Sequence, residues 1–343
     1  MSPLPPSERT PPDEPAASPS LSRKLVQALA PWLVSGAALY YVFGIAIEWE
    51  KIPEATAGAN LPLFIAIVVF DKLVFFIVWG LLQARVIRQY LARASVGEIL
   101  AVKGASELIR SVNNSLSDAA FFFGIWQLTG APLALVVAVI FIPFIAHFVV
   151  LVAQATIALP LLPGGPMSNP DVTVAVVVSW LMLGWLAWAS KRGALQRLLA
   201  PIGLEALVGR VKLRDWIPYI GYFVLFGIFD VVVQGVASRV FGIHIDWIAL
   251  VARIPVLYVA LMIPSFANFG TREIAWASLF SEFGDDAALY AYAFWTNGIF
   301  MAMHVLIGVV FMPRAFRLVR GMREARKRGD TMPRPLVHDA IDP

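Results

Sequence analysis

The chain of 343 residues contains no cysteine. That excludes disulfides, cysteine-ligated zinc, iron–sulfur centres and thiol catalysis, and it leaves the compartment open. Charge is scarce as well: Asp, Glu, Lys and Arg make up 15% of the residues against 59% hydrophobic ones, and the mean hydropathy is +0.74. Soluble domains carry about a quarter charged residues, so the composition predicts a polytopic membrane protein. No Gly-rich loop ending in Gly-Lys-Ser/Thr, no His-Glu-x-x-His and no Gly-x-Ser-x-Gly occurs. These absences leave nucleotide, zincin and hydrolase chemistry without a motif. No catalytic residue, metal or cofactor is therefore assigned, and any transport is expected to be passive or ion-driven.

Residues 1–21 hold seven prolines with Ser, Glu and Asp and no apolar run, the composition of a disordered tail, read here as cytoplasmic. Arg23-Lys24 then precedes an apolar run long enough to span, which argues for a first span, Leu25–Ile47, and against a cleavable signal. Residues 22–313 are read as the transmembrane domain and 314–343 as a basic cytoplasmic amphipathic helix and tail.

Charge asymmetry orients the spans, because loops that stay in the cytoplasm are rich in Lys and Arg. Arg85, Arg88, Arg93 and Lys103 follow the second span, Leu61–Gln83. Residues 160–166 between Pro132–Leu159 and Val172–Ser190 have neither Lys nor Arg and suit the outside. Lys191, Arg192, Arg197, Arg210, Lys212 and Arg214 return the chain to the cytoplasm, Trp216–Val240 leaves it again, and Ala287–Met312 runs inward to Arg314–Arg328. Two polar stretches must then begin and end on one side: 97–128 from the cytoplasm, and Trp247–Gly284 from outside. The resulting expectation is an all-α helical bundle of six full spans plus two re-entrant helical hairpins, eight membrane elements in all. Both termini lie in the cytoplasm, and the pattern is that of an inverted repeat. Ala94-Ser-Val-Gly-Glu-Ile-Leu-Ala101 and Ala267-Asn-Phe-Gly-Thr-Arg-Glu-Ile-Ala275 form a short internal echo of it.

The second polar stretch gathers Pro264, Asn268, Gly270, Arg272 and Glu273 within a dozen residues. Pro264 lacks the N–H a helix needs and Gly270 is a weak helix former, so a broken helix is predicted. Non-helical backbone at membrane depth is tolerated only where protein buries it or water reaches it, which favours binding sites. A guanidinium there costs roughly 2.5–3.5 kcal/mol on insertion scales unless paired or hydrated. Arg272 also offers a forked donor set suited to phosphate, next to a helix start that favours Glu273 and anions. The bland alternative is that Arg272 and Glu273 only pair with other intramembrane charges and fix the fold.

Candidate partners are Asp71 and Lys72 in the second span, Asp230 and Arg253. Asp71 and Lys72 point about 100° apart on a helix and should serve different partners. In the first hairpin Glu98 is a site candidate, and Glu107 and Arg110, three apart, can pair along one face. His147 and His304 are read as hydrogen-bonded packing residues, Asn268 and Asn297 as donors to a headgroup or to freed carbonyls. Arg314, Arg317, Arg320 and Arg323, interleaved with Phe316, Leu318, Val319 and Met322, form an amphipathic pattern suited to anionic lipid. The same patch is an ordinary topology determinant, so nucleic acid is not an expected partner.

Ile263-Pro264, Phe269-Gly270-Thr271-Arg272-Glu273, Phe283-Gly284 and the span opening at Asp286-Ala-Ala288 resemble the C-terminal signature of the lysylphosphatidylglycerol synthase transmembrane-region family. The resemblance covers most of residues 25–320 and is most specific in the Pro-to-Gly-x-Arg-Glu segment. Gly97-Glu98 stands where similar proteins carry a Gly-Glu motif, without the usual preceding proline and following arginine. The resemblance implies the stand-alone, flippase-like form without the soluble aminoacyl-transferase domain, moving a phospholipid or lipid-linked anionic group between leaflets of the cell (inner) membrane. Membrane lipids are then the expected partners, and homo-oligomerisation is left open. Two other functions fit the sequence: an intramembrane enzyme modifying a lipid headgroup, and an ion-coupled transporter of a small polar solute.

Overall fold

A computed structural model of the chain describes residues 50–91, 94–191, 213–261 and 268–328, with Gly36, Tyr40, Gly44 and Ile45. The expected tail, most of the first span, Pro264 and the last fifteen residues lie outside the described residues. What is described is all-α. Its helices are α1 (Ile52–Ala57), α2 (Leu61–Tyr90), α3 (Val96–Arg110), α4 (Asn114–Thr129), α5 (Leu133–Ala158), α6 (Pro170–Lys191), α7 (Leu213–Val240), α8 (Trp247–Ala260), α9 (Thr271–Phe280) and α10 (Asp286–Arg328), plus one-turn pieces near residues 160, 166 and 282. Five of them, α2, α5, α6, α7 and α10, are long and apolar enough to cross a membrane, where the sequence predicts spans. One boundary differs: the basic segment after Met312 is no separate helix but the unbroken continuation of α10 through Pro313.

Local chemistry explains the boundaries. Asn60 caps α2 by accepting from the Leu63 N–H at 3.2 Å, with Pro62 in the first turn, where its missing N–H costs nothing. Gly130 at φ +70° ends α4 in the left-handed conformation. The Ser95 hydroxyl accepts from the Glu98 N–H at 3.2 Å while the Glu98 carboxylate accepts from the Ser95 N–H at 2.8 Å, a complete capping box that starts α3.

The two polar stretches become pairs of short helices. α3 and α4 have 15 and 16 residues, and α8 and α9 have 14 and 10. At ~1.5 Å per residue none reaches the ~30 Å of a hydrocarbon core. α3 and α4 meet at Ser111–Asn113, where the Asn113 side chain accepts from the Leu116 N–H and Arg110 reaches across the turn to Asp118. α8 stops at Ala260, and α9 restarts after a turn at Asn268–Gly270, with Asn268 at φ +64° and Gly270 at φ +84°. The turn of each pair touches the other: Asn114 Nδ2 donates to Asn268 Oδ1 at 2.8 Å, across 154 residues of sequence.

Both pairs lie along α10. Near its start Tyr292 stacks on Trp276 of α9 at 4.5 Å and Asn297 meets Glu273. Further on, His304 meets Glu107 of α3, and Gly97 lies against Arg314. Partner numbers fall as α10 numbers rise, so α9 and α3 run antiparallel to successive halves of one helix. Glycine makes the second contact possible: a Cβ on Gly104 would stand 2.4 Å from the Phe311 ring, and one on Gly308 2.6 Å from the Leu108 backbone nitrogen.

Apolar packing divides into two main clusters. One holds Phe64, Val68, Ala155, Val231, Leu250, Trp276, Phe280 and Leu289, the other Trp79, Val86, Ile99, Phe121, Val139, Val150, Phe223 and Phe226. α2, α5 and α7 each contribute to both. The residues between their two contributions include Asp71 and Lys72 on α2, Gln154 on α5 and Asp230 on α7. A polar seam thus crosses the middle of the bundle, level with the turns of both short-helix pairs.

Candidate functional site

On the α3 side of the seam every charge has a partner. Glu107, 2% exposed, receives Lys72 Nζ at 3.3 Å, Lys103 Nζ at 3.4 Å and Arg110 Nε at 3.3 Å, while His304 Nδ1 lies 2.7 Å from its Oε2. Arg110 is shared with Asp118, and Lys103 sits over Phe121 at 5.3 Å. A carboxylate buried this deeply needs such partners, because removing one member of a buried ion pair leaves an uncompensated charge costing about 3–5 kcal/mol. The predicted Glu107–Arg110 pair is present, and Asp71 and Lys72 diverge as their helical spacing requires: Lys72 turns to Glu107, and Asp71 to the other cluster.

That other cluster is built from five helices and is not closed. The charges acting on Asp71 of α2 are those of Asp230 on α7, Arg272 on α9 and Lys72. Asp71 and Asp230 are 6% and 5% exposed. Asp230 accepts from the Tyr258 hydroxyl of α8 and, at 3.5 Å, from Gln234 Nε2, and Gln234 in turn accepts from the Tyr292 hydroxyl at 2.7 Å. Among the described residues neither Asp joins an ion pair.

Arg272 stands beside them and is equally open. It is 9% exposed, its Nε is buried without a hydrogen-bond partner, and no ion pair among the described residues includes it. Its guanidinium rests over the Phe300 ring at 5.1 Å, and Lys72 Nζ lies 5.8 Å from the same ring. Phe300 is therefore where the closed and open clusters adjoin. Cation–π contact recovers ~2 kcal/mol or more when desolvated, and a buried guanidinium has unfilled donors besides.

Glu273, fully buried, is engaged differently from the anion-site role its position suggested. One carboxylate oxygen accepts from the Gly270 N–H at 2.7 Å and the other from Asn297 Nδ2 at 3.3 Å. It caps α9, as Glu98 caps α3, and each stands three residues after its N-cap. The sequence echo is thus a shared helix start, with Arg272 present only in the second copy. Gly270 supplies the positive φ that start needs.

Arg253 lies apart from the cluster. Its Nη1 donates to the Leu279 carbonyl at 2.8 Å and pairs with Glu282 at 2.9 Å, and its Nη2 donates to Asn169 at 3.1 Å. It clamps α8 to the end of α9 and to the segment before α6. Asn268 is the contact between the two turns, and His147 packs against Phe223, Trp79 and Tyr258. The structure thus brings Asp71, Asp230 and Arg272 together, with Glu273, Gly270 and Asn268 beside them. It places Lys72, Glu107 and Arg110 in the adjoining closed network and Glu98 and Arg253 elsewhere. Tyr258, Gln234, Tyr292 and Phe300 complete the site without any sequence signal, since aromatic and amide residues in apolar helices are ordinary packing until their neighbours are known.

No protein-family model and no curated protein matches the chain.

Proposed function

We propose that the protein moves an anionic phospholipid, or an anionic lipid-linked group, between the leaflets of the cell membrane, and that Arg272 holds the headgroup. The observation that carries this reading is Arg272 itself: a guanidinium more than nine-tenths buried, its Nε without a partner and in no ion pair among the described residues, next to the contact between two helix breaks. A buried cation without a counter-ion is costly, and a phosphate would satisfy its fork of donors. The resemblance to the lysylphosphatidylglycerol synthase transmembrane-region family points the same way.

In this reading the α3–α4 pair enters from the cytoplasmic side and the α8–α9 pair from outside, as inverted re-entrant hairpins among six spans with both termini cytoplasmic. The Arg314 end of α10 is the cytoplasmic end and the Glu282 end the external one. A headgroup reaches Arg272 when the Asn114–Asn268 contact opens, and passes from one side to the other without its acyl chains leaving lipid. Reading the chain as an intramembrane enzyme gains no nucleophile–base pair from the described residues. The test is transfer of fluorescent phosphatidylglycerol between leaflets of reconstituted vesicles. Wild type should move it and Arg272→Ala should not, while inserting and purifying normally; full transfer by the variant overturns the assignment.

A further inference from the structure

We infer that Asp71 and Asp230 form a proton site, and that one proton bound there travels with each anionic headgroup held by Arg272. The inference rests on the translocation reading above and adds the energy source that reading lacks.

Asp71 and Asp230 bring two carboxyl groups to one buried cluster, and Arg272 brings a single guanidinium beside them. Glu273 is held by two hydrogen bonds from its own helix start and from Asn297. Among the described residues neither Asp71 nor Asp230 has a cation within ion-pair distance. Two buried carboxylates beside one guanidinium cannot both remain ionised without a further compensating charge, since each charge taken out of water is costly and like charges add to that cost. Lys72, the nearest other cation, is committed to Glu107. A proton shared by the pair is the smallest compensating charge, and no metal-binding cluster of three or more acidic or histidine side chains exists among the described residues to favour a larger ion.

The groups facing the pair do not supply the missing charge. From α8 comes the Tyr258 hydroxyl, from α10 that of Tyr292 through Gln234, and from α9 Arg272 and Glu273. From α5, His147 is stacked among aromatic rings. From α3, Lys103, Glu107 and Arg110 are closed on one another.

Coupling follows from the geometry. With Arg272 empty, its positive charge favours ionised Asp71 and Asp230. When an anion occupies it, that support is withdrawn and the pair holds a proton more firmly. By linkage the proton strengthens anion binding by the same factor. Proton and headgroup are therefore taken up together on one side and released together on the other, with the lipid chemically unchanged.

The experiment combines two readouts on the full-length protein. In purified protein, infrared difference spectroscopy should find a protonated-carboxyl C=O band at neutral pH that is lost in Asp71→Asn and in Asp230→Asn. The control Asp171→Asn, an exposed residue of α6, should keep it. In vesicles, a trace of fluorescent phosphatidylglycerol should redistribute between leaflets by about tenfold per unit of imposed pH difference, the ratio for one proton per lipid. Asp71→Asn should lose that response to the gradient. A wild type that flips lipid but ignores the pH gradient, or answers to a sodium gradient instead, overturns the proton inference and leaves translocation standing. A wild type that flips nothing overturns translocation, and the infrared band then decides the proton site alone: present and Asp71-dependent it stands, absent it falls.

Discussion

The two charge clusters of the seam are built from the same kinds of residue and differ in closure. Around Glu107, three cations and a histidine converge on one carboxylate within 3.4 Å. Around Arg272, one cation and two aspartates stand near one another without closing. Adjacent positions on α2, Asp71 and Lys72, feed one cluster each. The closed cluster ties α2, α3 and α10 and can be explained by the fold alone. The open one leaves a deficit that no ion pair among the described residues repairs, and the proposed headgroup site rests on it.

Substitutions can break this contrast. The largest effect on stability is expected from Glu107→Ala, which strands the buried Lys72 and Lys103. It should cost about 3–5 kcal/mol, read as a marked fall in thermal denaturation temperature or loss of purifiable protein. Arg272→Ala should show the reverse pattern, with loss of lipid transfer but unchanged or slightly raised thermal stability, because an unpaired buried charge is removed. Were Arg272→Ala to unfold the protein as Glu107→Ala does, the contrast would collapse. A smaller effect is expected at the turns: Asn114→Ala removes one side-chain hydrogen bond, about 0.5–1.5 kcal/mol, and should change the transfer rate more than the melting point. Because the chain has no native cysteine, Asn114→Cys with Asn268→Cys creates a unique pair. Oxidation should arrest transfer and reduction restore it. The smallest effect belongs to Arg320→Ala, which breaks a surface pair with Glu324 whose side chains are 84% and 52% exposed; such pairs contribute little, and neither stability nor transfer should change measurably.

Much of the frame was legible in the sequence because hydropathy and helical spacing are local properties. The five long helices, the two short-helix pairs, the break before Thr271 and the divergence of Asp71 from Lys72 follow from such patterns. The partners were not legible. Glu107 and His304 are 197 residues apart, and nothing in either segment announces the other. The sequence placed Arg253 and Glu98 among site candidates for their charge, yet one clamps helix ends and the other completes a helix cap, roles set by neighbours only the fold supplies. Glu273, also a site candidate, caps α9.

Phe300 gives the arrangement a property of its own. Lysine and arginine belonging to separate clusters both lean on this one benzene ring, whose electron-rich face attracts each cation without neutralising either. On the proposed function it works as a partition: Arg272 would keep its charge for an incoming anion, while Lys72 stays bound to its own carboxylate. Leucine would fill much of the volume and lose that property, so the two networks could drift into one.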